Sequence, residues 1–211
     1  MRRLFQCIFC ISSVLLLVAC APAPPKNEND ICDIFREYPS WFWAAQASQA
    51  RWGIPMSVQM AIMYQESHFK GNAKPERMKV LGFIPWSRPS TAYGYSQALD
   101  GTWAEYQREN GTGGHRSDFD TAIDFLGWYC HRAHIRAKIP VNNAYALYLA
   151  YHEGIGGYSR GAYKNQPYLM TIAKRVQHQA DVYHKQILQC QHSLPKKKKL
   201  ELFLNDLSIR N

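Results

Sequence analysis

The sequence predicts an all-α domain. Several segments repeat apolar residues at helical spacing, and proline, glycine and asparagine punctuate them. No two segments alternate in the way a strand pair does, and there is no internal repeat. A chain of 211 residues fits one compact domain. Aromatic residues at 13% and charged residues at 19% are the balance of an ordinary globular core rich in Trp and Tyr.

The chain opens as a targeting segment. Met1-Arg2-Arg3 is a short basic start, and Phe5–Val18 is an apolar run of signal-peptide length, too short for a membrane span. It closes on Leu17-Val18-Ala19-Cys20, which resembles the lipobox of bacterial lipoproteins. The resemblance implies residues 1–19 as a signal peptide, cleavage before Cys20 and lipid on that Cys. Ala21, not Asp, follows the Cys, which by the sorting rule implies the outer membrane of a Gram-negative cell, on its periplasmic face. Ordinary secretion, with cleavage in the Ala-rich stretch just beyond, is the rival reading. The Pro-rich residues after Cys20 read as a stiff polar tether, giving a lipidated tether over 20–38.

Helices then follow in order. Ser40–Arg51 is helical, and Gly53-Ile54-Pro55 breaks it. Pro55 suits the first turn of the next helix, because its missing N–H costs nothing there. Val58, Ile62 and Glu66 fall on one face of that helix, so a carboxylate ends an apolar row. Burial of the row and the negative helix end beside it both push the Glu66 pKa up. A carboxylic acid that stays protonated near neutral pH is what acid-catalysed glycoside cleavage needs. The Gly- and Pro-rich residues 68–93 read as an ordered loop. Ser96–Glu109 reads as a helix interrupted at Gly101 and ended by Gly111-Thr112-Gly113-Gly114. Ser117 or Asp118 caps a long helix to about Lys138, stopped by Pro140. Asn142 or Asn143 caps another through Tyr151, and Gly154-Ile155-Gly156-Gly157 reads as a loop. Pro167 opens a last helix to about Cys190, with Leu169, Ile172, Val176, Ala180 and Tyr183 as its inner face. Residues 192–211 are a basic tail containing Lys196–Lys199.

An oxidising compartment permits a disulfide. Cys7 and Cys10 leave with the leader and Cys20 carries lipid, so Cys32, Cys130 and Cys190 remain. Three single pairings exist, and Cys32–Cys190 is the preferred one because it clasps the start of the domain to the end of its last helix. Cys130 sits in an apolar helical segment as a buried thiol.

Composition also excludes. A net charge of +9 favours anionic partners, but the basic residues do not cluster with interleaved aromatics, as nucleic-acid binding requires. His131 and His134 share a helix face without a further ligand, so no metal site is expected. Gly154–Gly161 lacks the Lys-Ser/Thr end of a phosphate loop.

Three patches carry a resemblance. They are Gln65-Glu66-Ser67, Ala92-Tyr93-Gly94-Tyr95-Ser96-Gln97 and Ala150-Tyr151-His152-Glu153-Gly154. Their order resembles the soluble-lytic-transglycosylase (SLT) family, whose patterns are "ES", "GLMQ" and "AYNAG". The resemblance implies a lysozyme-like, goose-type helical fold over residues 39–191 and cleavage of peptidoglycan without a cofactor. It implies Glu66 as the catalytic acid/base and Tyr151 as the tyrosine that hydrogen-bonds the catalytic carboxyl. It implies Ser67, Gly94, Gln97, Tyr168 and, as the nearest serine before the glutamine motif, Ser90 as substrate contacts. Tyr95-Ser96 replaces Leu-Met, making the sugar-facing surface bulkier and more polar. His152-Glu153 replaces Asn-Ala and sets a second carboxylate beside the site. Two alternatives stay open: a hydrolytic muramidase using Glu153, and a non-catalytic glycan-binding scaffold. The partners expected are glycan strands and, through Cys20, a membrane.

Overall fold

A computed structural model describes residues 22–76, 79–80, 84–85 and 90–194. The leader with Cys7, Cys10 and Cys20, and the tail from Pro195 with its lysine run, lie outside the described residues.

The fold is all-α. In chain order the helices are α1 (Ile31–Glu37), α2 (Pro39–Trp52), α3 (Met56–Ser67), α4 (Asp100–Asn110), α5 (Phe119–Ala137), α6 (Ala144–Ser159) and α7 (Pro167–Cys190), with a short 3-10 turn at Ala162–Asn165. Helix α3 is the centre. Every residue from Met56 to Met63 is buried, including the polar Gln59, whose side chain accepts from the Ser48 hydroxyl and donates to the Ile54 carbonyl. Helices α2, α5, α6 and α7 surround it. Helix α7 lies along both α3 and α6, and α5 lies along α2. No helix among the described residues is long and apolar enough to cross a membrane.

The caps follow from local chemistry. Gly53 and Gly111 take left-handed conformations that end α2 and α4. The Asn143 side chain accepts from the Ala146 amide and starts α6. His68 and Phe69 both have positive φ (49° and 55°), so the chain turns sharply just past Glu66.

Five sequence expectations need correction. The tether does not reach residue 38. The Asp30 carboxylate caps α1 by accepting from the Cys32 and Asp33 amides, and Ile31, Cys32, Ile34 and Phe35 are buried in the core. The domain also extends past 191, since Leu194 is buried. A strand pair does exist inside the 68–93 loop: Lys79–Val80 pairs antiparallel with Ile84–Pro85. Ser96 does not begin a helix. Residues 93–98 form a tight turn closed by a bridge between Tyr93 and Ala98, with Gln97 left-handed at φ 50°, so α4 starts only at Asp100. Lastly, Gly154–Gly157 is not a loop. Gly154 alone leaves helical geometry (φ 74°, ψ 152°), and the helix resumes from Ile155 to Ser159.

Cys32 and Cys190 are disulfide-bonded, joining α1 to the end of α7, and Cys130 is a buried free thiol.

Candidate active site

Glu66 stands in the last turn of α3, below the buried side chains of Val58 and Ile62. The residue is half-buried, and desolvation pushes its carboxyl up to about 8. A hydrogen bond from the Tyr148 hydroxyl acts the other way. Tyr148 is 4% exposed. Burial first, then the charge of Glu66 and the bond to it, hold its phenol well above the ordinary tyrosine range. Tyr151, one helical turn further along α6, is also raised, by burial first and then by Glu66. Both phenols are therefore neutral donors beside the carboxyl. Tyr129 packs edge-on against Tyr151, with ring centroids 5.0 Å apart.

Tyr151 does not have the hydrogen bond that the resemblance implies. Its hydroxyl donates to the Ser96 carbonyl at 2.5 Å. It thus ties α6 to the turn at 93–98, while Tyr148 bonds Glu66. The spacing of Tyr148 and Tyr151 was the available signal: residues three apart on a helix share a face.

The 93–98 turn is itself built from long-range bonds. The Gln97 amide donates to the carbonyls of Ala73 (3.0 Å) and Gly94 (2.8 Å), leaving its side-chain oxygen as an acceptor. Gly94 has φ 78°, and a Cβ there would stand 2.1 Å from the Arg116 carbonyl oxygen. Close backbone approach thus leaves no room for a side chain there. The Ser67 hydroxyl is buried and reaches the Tyr95 carbonyl at 2.7 Å, locking the end of α3 to the same turn. Tyr95 and Ser96 are fully buried. Tyr95 packs edge-on against Trp41 and Phe119. The bulkier, more polar sugar-facing surface read from Tyr95-Ser96 is therefore absent, because both side chains point into the core.

A cleft of about 290 Å³ opens between the Gln97–Leu99 turn, Phe125 and Tyr129 of α5, and Tyr151–Gly154 of α6. Glu153 lines it. Its side chain is 14% exposed, its carboxylate accepts from the Gln166 amide at 3.0 Å, and the His152 ring lies 2.9 Å away. His152 is about half exposed and stands at the rim. Tyr168 is 76% exposed at the start of α7. Ser90 lies over a separate recess of about 670 Å³ with Lys74, Tyr93 and Arg116. A recess of about 740 Å³ between α2 and the end of α7 contains none of these residues. The rings of His131 and His134 are engaged with the carbonyls of Trp52 and Ile139.

A family model described as "Transglycosylase SLT domain" matches residues 8–190. The chain belongs to the SLT family. Members of that family are generally lytic transglycosylases acting on the peptidoglycan of the cell wall, which makes this SLT protein an envelope enzyme of the glycan-lyase kind. No curated protein matches the chain.

Proposed function

We propose that this protein cleaves the β-1,4 bond between N-acetylmuramic acid and N-acetylglucosamine and closes a 1,6-anhydro ring on the muramic acid. The observation that carries the reading is Glu66, a carboxyl held protonated to about pH 8 under two neutral phenols.

The Glu66 acid gives its proton to the bridging oxygen as the C1–O bond breaks, and the N-acetylglucosamine hydroxyl leaves. The muramic acetamido oxygen stabilises the positive charge developing at C1. The Glu66 carboxylate then takes the proton from the C6 hydroxyl, whose oxygen bonds C1. Glu66 returns to its acid form, and no water is consumed. Tyr148 orients the carboxyl and steadies its charged form. Tyr151 and Gln97 hold the 93–98 turn as one wall, and the free Gln97 side-chain oxygen accepts from a sugar amide or hydroxyl.

The chain is lipid-anchored through Cys20 at the periplasmic face of the outer membrane. The basic start, the apolar run and Leu17-Val18-Ala19-Cys20 support this reading.

Glu153 gives a second reading substance, because it lines the cleft. A carboxylate there can serve as base for water and make the enzyme a hydrolytic muramidase. Mass spectrometry of peptidoglycan digests, with wild type and Glu66→Gln side by side, decides. Anhydromuropeptides from wild type alone support the transglycosylase. Ordinary reducing ends assign Glu153 to the mechanism. No products from folded wild-type protein leave a glycan-binding scaffold.

A further inference from the structure

The residues that lead into α1 are fastened to the domain along their length. The Tyr38 hydroxyl, just past the end of α1, donates to the Ala23 carbonyl at 2.8 Å. Pro25 is buried. The Lys26 amide donates to the Glu37 carboxylate at 3.0 Å, and the Asn27 side chain donates to Asp33 at 2.9 Å. The segment thus runs back along α1 from its last turn to its first, where Asp30 caps it. Pro24 and Pro25 have φ fixed by their rings, so laying the segment down removes little backbone freedom.

The same segment reaches the helix that carries Glu66. The Glu28 carboxylate lies 2.9 Å from the ring of His68, the residue that closes α3. The Tyr64 hydroxyl, one turn back in α3, donates to the Asn29 side chain at 3.4 Å. From α7, the Tyr183 hydroxyl donates to the Glu28 carbonyl and the Gln186 side chain to the Asn29 carbonyl. Each bond is modest alone. They succeed one another along residues 23–30, so breaking one leaves its neighbours to hold the chain in place.

Length sets what this does to an anchor. Between Cys20 and Ala23 the chain spans at most about 11 Å, and between Cys20 and Glu28 at most about 30 Å. A free tether from 20 to 38 would reach about 65 Å. We propose, resting on the lipid-anchor reading above, that the amino-terminal segment is a mount and not a tether. It holds the domain against the bilayer by the corner at Tyr38–Ser40, where α1 meets α2. The Glu66 end of α3 is thereby kept at a short, fixed standoff from the membrane. The surface that this corner meets is the lipid headgroup layer around Cys20.

The test uses the full lipidated chain, reconstituted in vesicles of phosphatidylethanolamine and phosphatidylglycerol. Ser40→Cys carries a fluorophore at an exposed position. Cys130 is buried and Cys32 is bonded to Cys190, so none of them takes the label. A second version has about 20 Gly/Ser residues inserted between Cys20 and Ala21, a flexible coil. Nitroxide on the lipid headgroups is expected to quench the fluorophore in the mounted chain, and the spacer version is expected to lose most of that quenching. Hydrogen exchange is the independent readout. The Lys26 amide is expected to exchange about tenfold or more slowly than in an unfolded peptide, and Glu37→Ala should release it. Quenching no greater than in the spacer version, or a Lys26 amide that exchanges at the free-peptide rate, overturns the mount. Mass spectrometry of the amino-terminal peptide keeps the failures apart. Lipid on Cys20 with either result sinks the mount alone, whereas Cys20 without lipid sinks the anchor reading with it. The cleavage reading stands in both cases.

Discussion

In the proposed mechanism the Glu66 carboxyl sets the pH behaviour of the site. As the proposed general acid it is competent while protonated, so kcat/KM is expected to fall as pH rises through about 8. The same shift acts on stability. The folded chain keeps the Glu66 proton up to about 8, whereas the unfolded chain loses it near 4.5. Stability is therefore full below pH 4.5 and declines as pH climbs toward 8. Glu66→Gln carries no such cost. It should be more stable than wild type by on the order of 2–4 kcal/mol at pH 8, with the gap closing toward pH 4.5; denaturant titrations at the two pH values measure it. The two tyrosines separate by the same logic. Tyr148→Phe removes a donor that favours the charged form, so the alkaline limb should move upward. Tyr151→Phe leaves the limb in place but orphans the Ser96 carbonyl, at a cost of about 1–3 kcal/mol. A limb that moves with Tyr151→Phe and stays with Tyr148→Phe would reverse these roles. Glu66 was legible in the sequence because its row is local to one helix. The division between Tyr148 and Tyr151 was not, because it depends on where a carbonyl 55 residues away comes to rest.

At the scale of elements, the 93–98 turn is the part that sequence periodicity misreads. Its residues read as the start of a helix, and what overrides them is distant. Gln97 is held left-handed while its amide bonds Ala73, and Gly94 is pressed against the backbone of Arg116. Helices such as α2, α5 and α7 need no such partner. Their proline, aspartate and glycine signals are local, and they fall within a residue or two of the expected bounds. Helix α1 had a local signal too, Asp30 before Ile31, Ile34 and Phe35, but it follows a polar Pro-rich stretch that read as a tether. The turn gives a sharp prediction. Gly94→Ala meets both a positive φ and a backbone oxygen that cannot swing aside. It should cost about 3 kcal/mol or more and lower activity further by displacing Gln97. Gly154→Ala has open space around its Cβ and faces only the conformational cost, about 1–3 kcal/mol. Comparing the two unfolding midpoints separates packing from backbone strain; equal losses would argue against the close approach at Gly94.

Across the whole molecule, α7 is the staple. It packs on α3, which carries Glu66, and on α6, which carries both tyrosines, while its far end is bonded through Cys190 to Cys32 in α1. The amino-terminal segment is held to the same frame by weaker ties. The Ile31 amide donates to the Gln186 side chain, the Gln186 amide to the Asn29 carbonyl, and the Tyr183 hydroxyl to the Glu28 carbonyl. The disulfide spans 158 positions, and a loop of that length removes roughly 5 kcal/mol of unfolded-state entropy in the chain-closure picture. The Cys32→Ser/Cys190→Ser double variant should therefore melt well below wild type, by roughly 10 °C or more for a domain of this size. Activity should respond differently. Tyr148, Tyr151 and the 93–98 turn are fixed to Glu66 by contacts that do not pass through α1. At temperatures where circular dichroism shows the variant folded, glycan cleavage is expected to stay within about twofold of wild type. Losing activity well before the melt would instead make the α1–α7 clasp part of the site's alignment, with strain passed along α7 to the seam where Glu66 and Tyr148 meet.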